Sequence, residues 1–185
     1  MNIYFLRPDF STKQGVKYWQ DSIEGYKNEI LIRENIQANI IIDTGEIKTE
    51  ISDNFDHMIG AFCLRGLLDL YQHQHAVVKY SESECYIRLD IEDDLIYISG
   101  NDLWDEENED ELVEAYVDLV PFLQAMYQCG NDYLRYLNEI KDFLGKDSQK
   151  NEKVFENLEN MIWRIKKLLK EVNLANIPAL QDIKR

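Results

Sequence analysis

Glycine and proline are scarce, eight and three in 185 residues, which excludes long flexible or polyproline linkers. The three cysteines, Cys63, Cys85 and Cys129, make no Cys-x-x-Cys pair and leave an odd thiol under any disulfide scheme. That argues against a disulfide-built scaffold and for a reducing compartment. No apolar run approaches the ~18 residues of a membrane helix, and Met-Asn-Ile-Tyr-Phe-Leu-Arg-Pro-Asp at the start lacks the order of a secretory signal. The expectation is a cytoplasmic protein with no membrane partner. The phosphate-cradling patterns Gly-x-Gly-x-x-Gly and Gly-x-x-x-x-Gly-Lys-Ser/Thr are missing, as are the serine elbow Gly-x-Ser-x-Gly and the zinc motif His-Glu-x-x-His.

Bases are what one stretch lacks most. Between Glu82 and Asp118, one fifth of the chain, fifteen Asp and Glu meet a single base, Arg88. That stretch carries −14 of the net charge of −15, and the remainder is almost neutral. Charge gathered this way makes a directional field that attracts a cationic partner and speeds encounter. It repels a polyanion, so no direct nucleic-acid partner is expected. With 45% hydrophobic residues the chain lies far from disordered compositions.

The first half reads as strands. Ile3, Tyr4 and Phe5 open one that Pro8 stops, a short helix follows from Lys13 to Lys27, and Ile30 to Ile32, Asn39 to Asp43 and Glu46 to Ile51 are strand-like, with Thr44-Gly45 as a turn. Helical period then carries Met58, Ile59, Phe62, Cys63, Leu67, Leu70 and Tyr71 between Asn54 and Gln72. Ala76 to Tyr80, Cys85 to Ile91 and Leu95 to Ile98 return to strands. The middle one sets Cys85, Ile87, Leu89 and Ile91 against Tyr86, Arg88 and Asp90, and Ser99-Gly100 ends the pair. From 105 to 173 the chain reads as helical. Leu112, Val113, Tyr116, Leu119, Val120 and Leu123 form a first stripe, Pro121 starts a turn or kinks it, and Gly130 closes it. Asn131 to Leu144 makes a second helix. Glu152 to Asn173 makes the last, with Lys166, Lys167 and Lys170 at its negative pole. Lys146 to Lys153 is a connecting loop, and 174–185 a loose tail. The expected class is α+β in one domain over 1–185, sheet-rich over 1–100, with a largely antiparallel sheet packed under helices from the second half.

Candidate chemistry narrows to the acidic stretch. Asp90, Glu92 and Asp94 would share a face if their strand ran on, and oxygen-rich sites suit hard cations. Yet the calcium-loop pattern fails over 101–114 for want of its glycine, and acid-rich sequences form such clusters by chance. No metal or other cofactor is expected, and no catalytic residue. His57, His73 and His75 read as surface or loop histidines, Cys63 and Cys85 as small core residues, and Cys129 as exposed. Aromatic rings among carboxylates suit a protein interface. The expected contact residues are Asp90, Glu92, Asp93, Asp94, Tyr97, Asp102, Trp104, Asp105, Glu106, Glu107, Glu109, Asp110, Glu111 and Glu114. Trp104, in a run of acids, is either an interface anchor or a ring tucked under its own loop.

A strongly acidic α+β chain with this carboxylate patch and no catalytic motif resembles the immunity proteins of bacterial toxin systems, including contact-dependent inhibition. The resemblance implies a basic protein toxin domain, a nuclease in class, as partner. Two other readings follow from the same acids: a metal-dependent hydrolase, and a nucleic-acid mimic that blocks a DNA-binding protein. The helical half leaves room for a homo-oligomer.

Overall fold

Isoleucines, Ile3, the run Ile40 to Ile42 and Ile51, favour the first strands by their β-branching. β1 (Asn2–Phe5), β2 (Gln37–Asp43) and β3 (Lys48–Asn54) form an antiparallel sheet in the order β1-β2-β3, in a computed structural model that describes residues 1–5, 37–43, 45, 48–54, 59–79, 86–101, 112–145, 152–181 and 183. The expected helix at Lys13 to Lys27 and strand at Ile30 to Ile32 lie outside the described residues. At the β2–β3 turn Gly45 adopts φ +91°, and its N–H donates to Asp43 Oδ1 at 2.9 Å. A side chain at Gly45 would be strained there.

Helix α1 follows as a π-helical stretch, Ile59–Gly66, continued by the α-helical Leu67–His73. A π turn bonds residue i to i+5 and is rare. This one packs against other helices and the second sheet, so Phe62, Cys63 and Leu64 are buried in succession. A single amphipathic stripe does not anticipate that. The expected start at Asn54 is too early, because Asn54 ends β3.

The second sheet is an antiparallel meander of β4 (His75–Lys79), β5 (Tyr86–Glu92), β6 (Leu95–Asn101) and β7 (Leu112–Asp118). Two expectations fail here. The 112–118 segment is a strand paired with β6, with Ile96 opposite Val117 and Ile98 opposite Ala115, where a helix from 105 was expected. Seven residues fit both periods, and Val113 and Val117 favour the pleated one. Gly100 does not end the ladder either, since β6 runs on to Asn101. A Cβ on Gly100 would stand 2.8 Å from the Tyr86 carbonyl oxygen, so the glycine permits a close strand approach.

α2 (Leu119–Gly145) leaves β7 directly. The Leu119 N–H donates to the Asp94 carbonyl at 2.9 Å, and Pro121 sits in the first turn, where a missing N–H costs nothing. Gly130 does not close the helix. It lies mid-helix and lets Leu64 approach, a Cβ there falling 2.5 Å from Leu64 Cδ2. Two expected helices therefore merge into one, with Phe122, Leu123, Met126, Cys129, Tyr133, Leu137 and Ile140 inward. Cys129, expected to be exposed, is buried for this reason.

α3 (Glu152–Leu174) packs antiparallel to α2 through Leu158, Met161, Ile162, Ile165, Leu169 and Val172. Lys141 Nζ reaches Glu159 Oε1 at 2.7 Å, and the Tyr127 hydroxyl donates to Asn173 Oδ1 at 3.0 Å. Glu152 and Lys153, expected to be loop, are already helical. The tail is not loose through 181. Ile177 is buried, Pro178–Leu180 forms a 3₁₀ turn, and Gln124 Nε2 donates to the Ala179 carbonyl at 2.8 Å. The architecture is α+β as expected: antiparallel strands drawn mainly from the first half, packed against helices from the second. The strands form two sheets, and β7 comes from the second half.

Candidate functional site

Strand alternation gives the second sheet two unlike faces. Ala76, Val78, Ile87, Leu89, Ile96, Ile98 and Val117 are buried in the core, the valines, leucine and isoleucines each contributing about 1.5–3 kcal/mol by leaving water. The residues between them face the other way. Register aligns His75, Asp90, Tyr97 and Tyr116 in one row across all four strands, and Val77, Arg88, Ser99 and Glu114 in the next.

This outer face combines apolar rings with fixed charge. The Tyr97 and Tyr116 rings lie 5.0 Å apart at 37°. Tyr116 is 58% exposed and Val77 50%, high values for large hydrophobic side chains on a sheet. Arg88 grips Asp90 with two bonds, Nε to Oδ2 at 2.6 Å and Nη2 to Oδ1 at 3.1 Å. The hydrogen bond and charge of Asp90 hold the Arg88 proton more firmly, helped by Tyr86 and Tyr97. The fork geometry fixes the guanidinium among the tyrosines.

One end of the face is acidic. Strand β5 stops at Glu92 and the chain reverses through Asp93, in the left-handed region at φ 59°, and Asp94. Asp tolerates that conformation because its short side chain bonds locally. Glu92, Asp93, Asp94 and Asp118 are all exposed, with Leu95 paired between Glu92 and Asp118. The reversal overturns the expectation that Asp90, Glu92 and Asp94 could line one continuous strand face. Asn101 pairs with Leu112 at the opposite end of the sheet. Strand β6 sets that end roughly 20 Å from Leu95 at 3.3 Å per residue.

Of the expected contact residues, Asp90, Glu92, Asp93, Asp94 and Tyr97 come together on this face and its end, Asp90 with its charge engaged by Arg88. Glu114 takes the register position opposite Ser99. Asp102, Trp104, Asp105, Glu106, Glu107, Glu109, Asp110 and Glu111 lie outside the described residues. Sequence reasoning missed Val77; it counted Tyr116 among the aromatics interleaved with carboxylates but set it on a helical stripe, where it stands on a strand. The alternation of Val113, Ala115 and Val117 against Glu114, Tyr116 and Asp118 was the signal available. His73 ends α1 and His75 begins β4, both exposed, as the reading of surface histidines expects.

Among the described residues, no three His, Cys, Asp or Glu side chains are grouped to hold a metal ion, and no helix is long and apolar enough to cross a membrane. The Cys63 thiol contacts Cys129 in the core, and burial, reinforced by that contact, pushes its pKa well above the ordinary 9.0. A raised pKa keeps the folded state protonated when the unfolded chain would ionise, so this contribution is intact below pH 9 and declines above it. We expect unfolding free energy to fall as pH rises above 9, and to fall less steeply in Cys63→Ala. Equal slopes in denaturant titrations of the two proteins would remove the thiol from that account.

Comparison with protein-family models, curated proteins and solved structures finds no match to this chain.

Proposed function

We propose that this chain is an immunity-type inhibitor that binds a basic toxin domain, nuclease in class, in the cytoplasm of the cell that it protects. The observation that carries the reading is the outer face of β4–β7, where Tyr116, stacked on the half-buried Tyr97, and Val77 stand exposed on the face whose end carries the carboxylates of Glu92, Asp93, Asp94 and Asp118. The face belongs largely to the stretch that carries −14 of the net −15. Carboxylates accelerate capture of a cationic surface, and exposed ion pairs add only about 0–1 kcal/mol each to residence. Residence comes from rings that lose water on contact. The inhibitor offers the toxin carboxylates in place of the phosphates of its substrate.

The test is to seek a toxin-encoding reading frame immediately upstream and to measure stopped-flow association with the basic nuclease domain expected there. Reversing Asp93, Asp94 and Asp118 to Lys, together with Asp105, Glu106, Glu109 and Asp110, is expected to slow association about 10- to 1,000-fold at low salt. Tyr116→Ala is expected to speed dissociation by about 30-fold with little change in association. A charge-reversed chain that captures the nuclease as fast as the original would end this reading.

A further inference from the structure

The outer surface of α3 carries a pattern that inhibition of a basic toxin does not use. Trp163 stands 63% exposed in the middle of the helix, with Lys167 Nζ 5.7 Å from its ring centroid. On the same side, the turns before it present Glu152, Glu156 and Glu159, and the turns after it present Lys166, Lys167 and Lys170, all exposed. Residues three, four and seven apart share a helix face. The stripe therefore changes sign at the tryptophan.

We propose that this stripe is the interface of a symmetric dimer in which α3 of one copy lies antiparallel on α3 of another, with Trp163 at the two-fold axis. A two-fold axis carries each position to the one equally far on the other side of Trp163. Lys170, seven residues after it, meets Glu156, seven before; Lys167 meets Glu159; Lys166 meets Asn160. The surface is complementary to itself, as an isologous contact requires. Trp163 meets its own copy at the centre, where aromatic anchors contribute most. From Glu156 to Lys170 the contact runs about 21 Å at 1.5 Å per residue.

The helix dipole also favours acids early and bases late, but its influence fades within the last turn. Lys166 lies about two turns before the helix end at Leu174, and the dipole gives no reason for an exposed tryptophan between the two blocks. Each copy carries −15 overall, so the copies repel at low salt. At physiological ionic strength that repulsion is screened beyond about 8 Å, whereas the facing pairs are closer than that. The dimer is expected to be stronger at physiological than at very low ionic strength.

Sedimentation velocity on the full chain tests this. The unaltered protein is expected to show a concentration-dependent monomer–dimer equilibrium, lost in Trp163→Ala. One double variant, Glu156→Lys with Glu159→Lys, reverses the acidic members of the facing pairs; a second, Lys167→Glu with Lys170→Glu, reverses their basic partners. Each alone is expected to be monomeric, and an equimolar mixture is expected to recover a heterodimer. Circular dichroism checks the fold of each, and Glu156→Lys mixed with Lys170→Glu repeats the experiment without disturbing the Glu159 contact to Lys141. A monomeric parent chain, or a mixture that stays monomeric, overturns the proposal. So does a monomer that binds phosphatidylserine vesicles through these lysines, which would assign the stripe to an anionic surface instead.

Discussion

Truncating Leu64 to Ala is expected to cost about 2–5 kcal/mol of unfolding free energy, and adding Gly130→Ala to that variant is expected to return part of the loss. Leu64 is fully buried, and its Cγ and Cδ2 would stand 2.9 and 2.5 Å from a Cβ at position 130. Gly130→Ala alone sets two effects against each other. Removing a glycine from a helix interior gains about 0.8–1 kcal/mol, while crowding a packed core costs about 1–3 kcal/mol. Crowding wins, because the atoms opposed belong to a side chain held on all sides. With Leu64 shortened the crowding vanishes, the helical gain remains, and the new methyl fills part of the cavity. The double-mutant cycle should show about 1–3 kcal/mol of favourable coupling in urea unfolding. Simple additivity would mean that the two helices do not meet at this point.

Phe62→Ala should be as damaging, at about 3–5 kcal/mol. Phe62 is fully buried in the π-helical stretch, and its ring meets Phe122 of α2 edge to face, centroids 6.4 Å apart at 87°. Such a pair contributes about 0.5–1.5 kcal/mol beyond the area it buries. The stretch is held by α2, α3 and β4, so it cannot collapse into the space left behind. At about 2–4 °C per kcal/mol for a chain of this size, the melting temperature should drop by roughly 6–20 °C. Phe62→Leu keeps most of the volume and should lose much less. Val77→Ala, on the exposed face of β4, is the control, expected within about 0.5 kcal/mol of the parent. A Phe62→Ala protein that melts within two degrees of the parent would contradict the packing described.

Where residues had one clear period and one apolar side, the sequence was readable. The β5 alternation predicted which side chains enter the core, and Ile87 and Leu89 are buried while Arg88 is exposed. The α3 stripe predicted Leu158, Ile165 and Val172 inward. The reading failed where two signals overlap. Leu112 to Asp118 satisfies a helical and a pleated period at once, and the choice falls to β6, whose free edge pairs with it. Gly130 was ambiguous in the same way, because a glycine serves a helix end and a close helix contact equally well. That misreading split α2 in two and moved Cys129 to the surface.

Of the candidate site, the tyrosines and acids were visible as residue types, but not their sides or their separation. That Tyr116 joins Tyr97, that Asp90 is engaged by Arg88, and that Glu92 and Asp118 flank Leu95 at one end of the sheet are consequences of register.

By itself, then, the sequence determined which segments need burial, that strands precede the long helices, and that nearly all surplus charge lies between Glu82 and Asp118. Those properties are local, set by spacing and composition. Only the tertiary structure decided which sheet face is covered, which glycine admits a neighbouring helix, and which exposed residues share a surface. Those depend on contacts between residues far apart in the chain, and periodicity along a single segment carries no information about what will be packed against it.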